Sequence, residues 1–83
     1  MILHVSNINF QTNAEELKLL FSQFGEVSQI DIPRDRRTKL PRGFAFIHFV
    51  NDEDALEAVK YLNNAEFGGR VLNVEIKKWI KQV

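Results

Sequence analysis

The sequence predicts an α+β domain, a four-stranded antiparallel sheet with two helices on one face. Three observations lead there. Four short segments are rich in β-forming residues. Two intervening segments repeat apolar residues at i, i+3, i+4 and i+7, which is one face of a helix. The order is β-α-β-β-α-β, the split βαβ or ferredoxin-like arrangement.

The first strand is read from Ile2 to Ile8, with Leu3 and Val5 on one face and His4 and Ser6 on the other. Asn13 is placed to cap the first helix, with Glu16 completing a capping-box pattern. Leu17, Leu20, Phe21 and Phe24 form its apolar stripe, and Gly25 reads as its C-terminal stop. The second strand runs from Val27 to Ile32, with Ile30 and Ile32 inward and Gln29 and Asp31 outward; Pro33 ends it. A flexible basic loop, residues 33–42, follows. Asn51 is placed to cap the second helix, whose stripe is Ala55, Ala58, Val59 and Leu62. Asp52, Glu53 and Asp54 suit its positive N-terminus. Asn63-Asn64 and Gly68-Gly69 mark loops. The fourth strand is read from Val71 to Lys77, with Leu72, Val74 and Ile76 inward and Asn73, Glu75 and Lys77 outward.

The third strand is different. In Arg42-Gly43-Phe44-Ala45-Phe46-Ile47-His48-Phe49, Ala45, Ile47 and Phe49 share one face, and Phe44, Phe46 and His48 share the other. Both faces are apolar or aromatic. Each helix carries a single apolar stripe, so the pair covers one side of the sheet. One of the two sets on this strand must therefore lie on an otherwise polar open face, and parity alone does not choose.

Composition bounds the function. Eighty-three residues fit one domain over 1–83, with a core at about 2–77 and a basic tail, 78–83, that carries Trp79. The absence of cysteine excludes disulfides and thiolate metal sites. No apolar run reaches membrane-spanning length and no signal peptide precedes the first strand, so an intracellular protein without membrane contact is expected. Nothing in the sequence chooses between nucleus and cytoplasm. The 11 basic and 11 acidic residues cancel, which argues against a general polyanion binder. Their placement is uneven: residues 33–42 hold five basic residues and one acid, and residues 51–57 hold four acids. Such a dipolar distribution can steer an anionic strand to one edge.

The octet Arg42 to Phe49 resembles the octamer motif of the RNA recognition motif (RRM) family, with Ile47 standing where valine is usual. Leu3-His4-Val5-Ser6-Asn7-Ile8 is similar to the family's hexamer, with one departure: His4 occupies its aromatic position. Leu-Phe-Ser-Gln-Phe-Gly at 20–25, Asp54-Ala55, and Gly69-Arg70-Val71-Leu72 also resemble the family, so the likeness covers residues 2–77. It implies that Phe44 and Phe46 point outward. Phe46 would stack on one base, Phe44 would pack against sugars, and Arg42 would meet a phosphate.

A pair of exposed rings on a polar sheet suits unpaired bases, each stack contributing roughly 1–3 kcal/mol. Single-stranded RNA presents such bases; an A-form duplex hides them. Gln29, Asp31, Asn73 and Glu75 are the candidate polar neighbours at base edges, His48 and Lys77 are further candidate RNA-binding residues, and Asp31 and Glu75 would repel phosphates. Arg34, Arg36, Arg37 and Lys39 are the candidate phosphate contacts, which position without reading sequence. His4 is a smaller stacking surface than Phe or Tyr. Trp79 has three candidate fates: stacking on a base, folding back over the domain, or lying in a disordered tail.

Catalysis is not expected. Glu15 and Glu16 diverge on their helix, the two histidines lack an acid partner at a useful spacing, and no phosphate-binding glycine loop or metal-ligand cluster is present. No cofactor is expected. The rival reading is an RRM-like domain that binds a peptide partner on its helical face. Such members carry a degraded octamer and Arg-x-Phe before the last strand. Here the octamer is intact and the triplet is Ala65-Glu66-Phe67. The expected partner is single-stranded RNA, bound by a monomer.

Overall fold

A computed structural model describes residues 1–77, and Trp79 with its neighbours lies outside them. The elements are β1 (Ile2–Ser6), α1 (Ala14–Phe21), β2 (Val27–Asp31), β3 (Phe44–Phe49), α2 (Asp52–Leu62), β4 (Glu66–Phe67), β5 (Arg70–Val71) and β6 (Asn73–Lys77). One antiparallel sheet has the order β2-β3-β1-β6, so β3 and β1 are central. This is the α+β, ferredoxin-like arrangement expected from the pattern of elements.

The core lies between the sheet and the helices. Leu3, Val5, Ala45, Ile47, Phe49, Leu72 and Val74 meet Leu17 and Phe21 of α1 and Ala55, Ala58 and Leu62 of α2. The Phe21 and Phe49 rings meet edge-on with centroids 6.3 Å apart. With Ala45, Ile47 and Phe49 buried, parity sends Phe44, Phe46 and His48 to the open face. Burying a side chain such as Ile47 stabilises the fold by about 1.5–3 kcal/mol, which decides the register of β3 against a one-residue slip.

Several local expectations are corrected. β1 stops at Ser6, because Asn7 turns the chain with a left-handed φ of 61°. The Asn13 side chain does cap α1, accepting from the Glu16 N–H at 2.9 Å. α1 ends at Phe21, before Gly25, which has no left-handed φ. Gly25 is needed for a different reason: a Cβ there would overlap the Asp54 side chain. Asn51 occupies the N-cap position of α2 without a side-chain cap bond, its amide reaching Asp54 Oδ2 at 3.4 Å.

The expected fourth strand is divided. Residues 66–71 form a separate hairpin, β4–β5, turning at Gly68 and Gly69 with φ of 62° and 82°. Positive φ at both central residues is what such a tight hairpin turn demands. Only from Asn73 does the chain join the main sheet.

Candidate nucleic-acid interface

The open face is built in rows across the strands. In the middle row Asp31, Phe46, His4 and Glu75 lie opposite one another on β2, β3, β1 and β6. On one side of it lies a row of Gln29, His48, Ile2 and Lys77; on the other, Phe44, Ser6 and Asn73. The alternation that buries Leu3 and Val5 forces Ile2, His4 and Ser6 to this face. Ile2 is thus an apolar member of the platform that the polar reading of β1 missed, although the same alternation would have found it.

Three rings converge at the centre. His4 lies 5.4 Å from Phe44 and 5.3 Å from Phe46, and the two phenylalanines are 5.7 Å apart, edge to face. All three are half-buried, so they are held from below and open above. Lys77 reaches over β1 and sets its ammonium 4.4 Å from the centroid of Phe46.

A polar cluster occupies the β2 edge. A bulge between Val27 and Gln29 sets the register so that His48 Nε2 lies 2.9 Å from Asp31 Oδ2. The Gln29 amide donates to Asp31 Oδ1 at 2.8 Å. The Gln29 hydrogen bond, then the one from His48, holds the Asp31 carboxyl below its ordinary range. The expectation that the histidines lack an acid partner is corrected: cross-strand register pairs His48 with Asp31, and the acid opposite His4 is Glu75.

The basic loop is more ordered than a flexible connection. Asp35 Oδ1 accepts from the N–H groups of Arg37 and Thr38 at 2.8 and 3.1 Å, which keeps its carboxyl below the usual range. Asp35 and Leu40 bond through their backbones, and the Arg42 N–H donates to the Pro33 carbonyl at 3.2 Å. Arg34, Arg36, Arg37, Lys39 and Arg42 are all exposed. The sole acid of this loop therefore shapes the turn while the cations face solvent. Arg42 joins the loop to the Phe44 end of the platform.

No helix among the described residues is long and apolar enough to cross a membrane. Among the described residues, no group of three or more acidic or histidine side chains assembles to hold a metal ion.

The family model described as the RNA recognition motif matches residues 3–73. The chain is 38% identical over 77 residues to serine/arginine-rich splicing factor 8 of Homo sapiens, covering 93% of this chain and 27% of that protein. It spans 25% to 41% of the length of four such sequence relatives. Among solved structures, RNA binding protein PG1 superposes with a TM-score of 0.92 at 33% identity, covering 99% of each chain. The Rna15 RRM, solved with bound RNA (GU), gives a TM-score of 0.83 at 28% identity, covering 92% of this chain and 81% of that one.

Proposed function

Because the chain belongs to the RNA recognition motif family, we propose that it binds single-stranded RNA of about two to four nucleotides on its open sheet face. The observation that carries this is the cluster of His4, Phe44 and Phe46 within 5.3–5.7 Å of one another on a face that neither α1 nor α2 covers. Phe46 stacks on one base and Phe44 packs against the sugars beside it. His4 is the smaller third ring. Gln29, Asp31, His48, Asn73 and Glu75 meet base edges, and the acids among them keep phosphates off the centre of the face. Arg42, the loop residues Arg34, Arg36, Arg37 and Lys39, and Lys77 hold the backbone. The module, residues 1–83, acts as a monomer and a binder, with no reaction of its own. The likeness to a splicing factor supports an RNA-processing role inside the cell.

A second reading has one observation behind it. Leu19 on α1 is 72% exposed, which suits a peptide partner on the helical face. An NMR titration with a short single-stranded RNA, then with a tryptophan-bearing peptide, separates the two. The proposal expects shifts at Phe44, Phe46 and His4 with RNA. Shifts confined to α1 and α2, and only with the peptide, would favour the rival.

A further inference from the structure

Phe46 has two cross-strand partners, His4 on β1 and Asp31 on β2. Side chains directly opposite in an antiparallel pair have Cβ atoms about 4.5–5.5 Å apart. The Asp31 carboxylate therefore stands beside the Phe46 ring, where the edge of a base stacked on that ring would fall.

The direction of this carboxylate is fixed from both sides. The Gln29 amide donates to Oδ1 at 2.8 Å, and His48 Nε2 lies 2.9 Å from Oδ2. An ionised carboxylate only accepts, so His48 Nε2 carries the proton in this contact. The Asp31 side chain is nevertheless 45% exposed. Its two oxygens offer about four lone-pair directions in all. Each oxygen has one neighbour, so each keeps a free direction for a ligand. An acid needed only to keep phosphates away would act through space in any rotamer. Here two side chains are ordered around it, at a cost in rotamer freedom. What they fix is a pair of acceptors open to solvent.

Bases differ in what they show to such a pair. Single-stranded RNA exposes its Watson–Crick edges. Guanine places two donors side by side there, N1–H and the 2-amino group. Adenine and cytosine each set one amino group beside a ring-nitrogen lone pair. Uracil sets one N–H between two carbonyl oxygens. A carboxylate accepts from guanine through both oxygens; with the other bases one oxygen faces a lone pair and is repelled. Paired, charge-assisted hydrogen bonds of this kind are also the strong and directional ones.

We propose that Asp31, aligned by Gln29 and His48, makes the Phe46 position of the platform selective for guanine, accepting from its N1–H and 2-amino group. Asp31 reads the base, and Gln29 and His48 are positioning residues. The inference rests on the sheet binding single-stranded RNA through Phe46, and it names the base that this position prefers.

The test uses four single-stranded RNAs of about four nucleotides, at the low end of single-strand site sizes. All positions are uridine except one internal position, which is G, A, C or U. Affinities are measured by fluorescence anisotropy for the wild type, Asp31→Asn, Gln29→Ala and Phe46→Ala. The wild type should favour the G-bearing RNA by about 5- to 100-fold, the range of one good bidentate base contact. Asp31→Asn keeps the side-chain shape and exchanges one acceptor for a donor. It should cut that preference at least about fivefold, whatever the lost charge does to all four RNAs alike. Gln29→Ala should lower the same preference while leaving affinity for the all-uridine RNA unchanged. Phe46→Ala should weaken all four. A wild type that binds the four RNAs alike, or a folded Asp31→Asn that keeps the full preference for G, overturns the guanine assignment. If Phe46→Ala still weakens all four, the sheet reading stands. A wild type that binds none of the four overturns both.

Discussion

The ammonium of Lys77 lies 4.4 Å from the centroid of the Phe46 ring, on the open face of the sheet. It covers the surface on which a base would stack. An exposed cation–π contact contributes about 0.5–1 kcal/mol, less than the roughly 1–3 kcal/mol of a base stack. On the proposed reading, bound RNA would therefore displace Lys77 from the ring toward a phosphate. Lys77→Gln should weaken binding about two- to fivefold and lower the salt slope by up to about 0.7, the share of one phosphate contact. Tighter binding by this variant would mean that Lys77 acts only as a competitor for the ring.

The Asp31 carboxyl titrates below its ordinary value of 3.8, chiefly through the Gln29 hydrogen bond and next through His48. A folded-state pKa below the unfolded one stabilises the fold above the unfolded value, and that contribution is lost as pH falls through the folded value. Gln29→Ala should shift the Asp31 titration upward, toward 3.8, and reduce the steepness of acid destabilisation below about pH 4. Carboxyl NMR titration measures this directly. An unchanged Asp31 titration in the variant would contradict the assigned cause.

The arginines at 34, 36 and 37 face solvent on a turn organised by Asp35. Replacing all three with glutamine should weaken different RNA sequences alike and flatten the salt dependence by up to about 0.7 per lost phosphate contact. An altered sequence preference with an intact salt slope would assign these residues to base reading instead.

His4 stands 5.3 Å from Phe46 and 5.4 Å from Phe44, so a larger ring at this position has partners ready. His4→Tyr should tighten RNA binding by up to about 1 kcal/mol through added stacking area. Weaker binding by His4→Tyr would remove the stacking role of this position.

Helical and strand periodicity carried most of the fold, because each apolar stripe has one buried solution. The third strand shows where that reasoning stops. Both its faces are apolar or aromatic, so periodicity leaves them equivalent. The likeness of residues 42–49 to the family octamer pointed Phe44 and Phe46 outward, and the helices lying over Ala45, Ile47 and Phe49 are the physical reason. β4 and β5 escaped because two-residue strands have no period, although Gly68-Gly69 carried the turn signal. At the site, alternation placed His4, Gln29, Asp31, Asn73 and Glu75 on the correct face. It did not pair Asp31 with His48, since that contact depends on the bulge at Ser28 and on cross-strand register. Nor did it bring Lys77 over Phe46. Those contacts join residues far apart in the chain through turns whose geometry the pattern of apolar residues does not encode.

The affinity of Phe46→Ala for a short single-stranded RNA, measured beside its folded NMR spectrum, tests the central claim most directly. Phe46 projects from a strand whose opposite face carries the core residues Ala45 and Ile47, so the variant should stay folded. It should lose about 5- to 100-fold in affinity, the equivalent of roughly 1–3 kcal/mol for one stacked base. A folded variant that binds as tightly as the wild type would contradict the platform. An unfolded one would show that the ring supports the core.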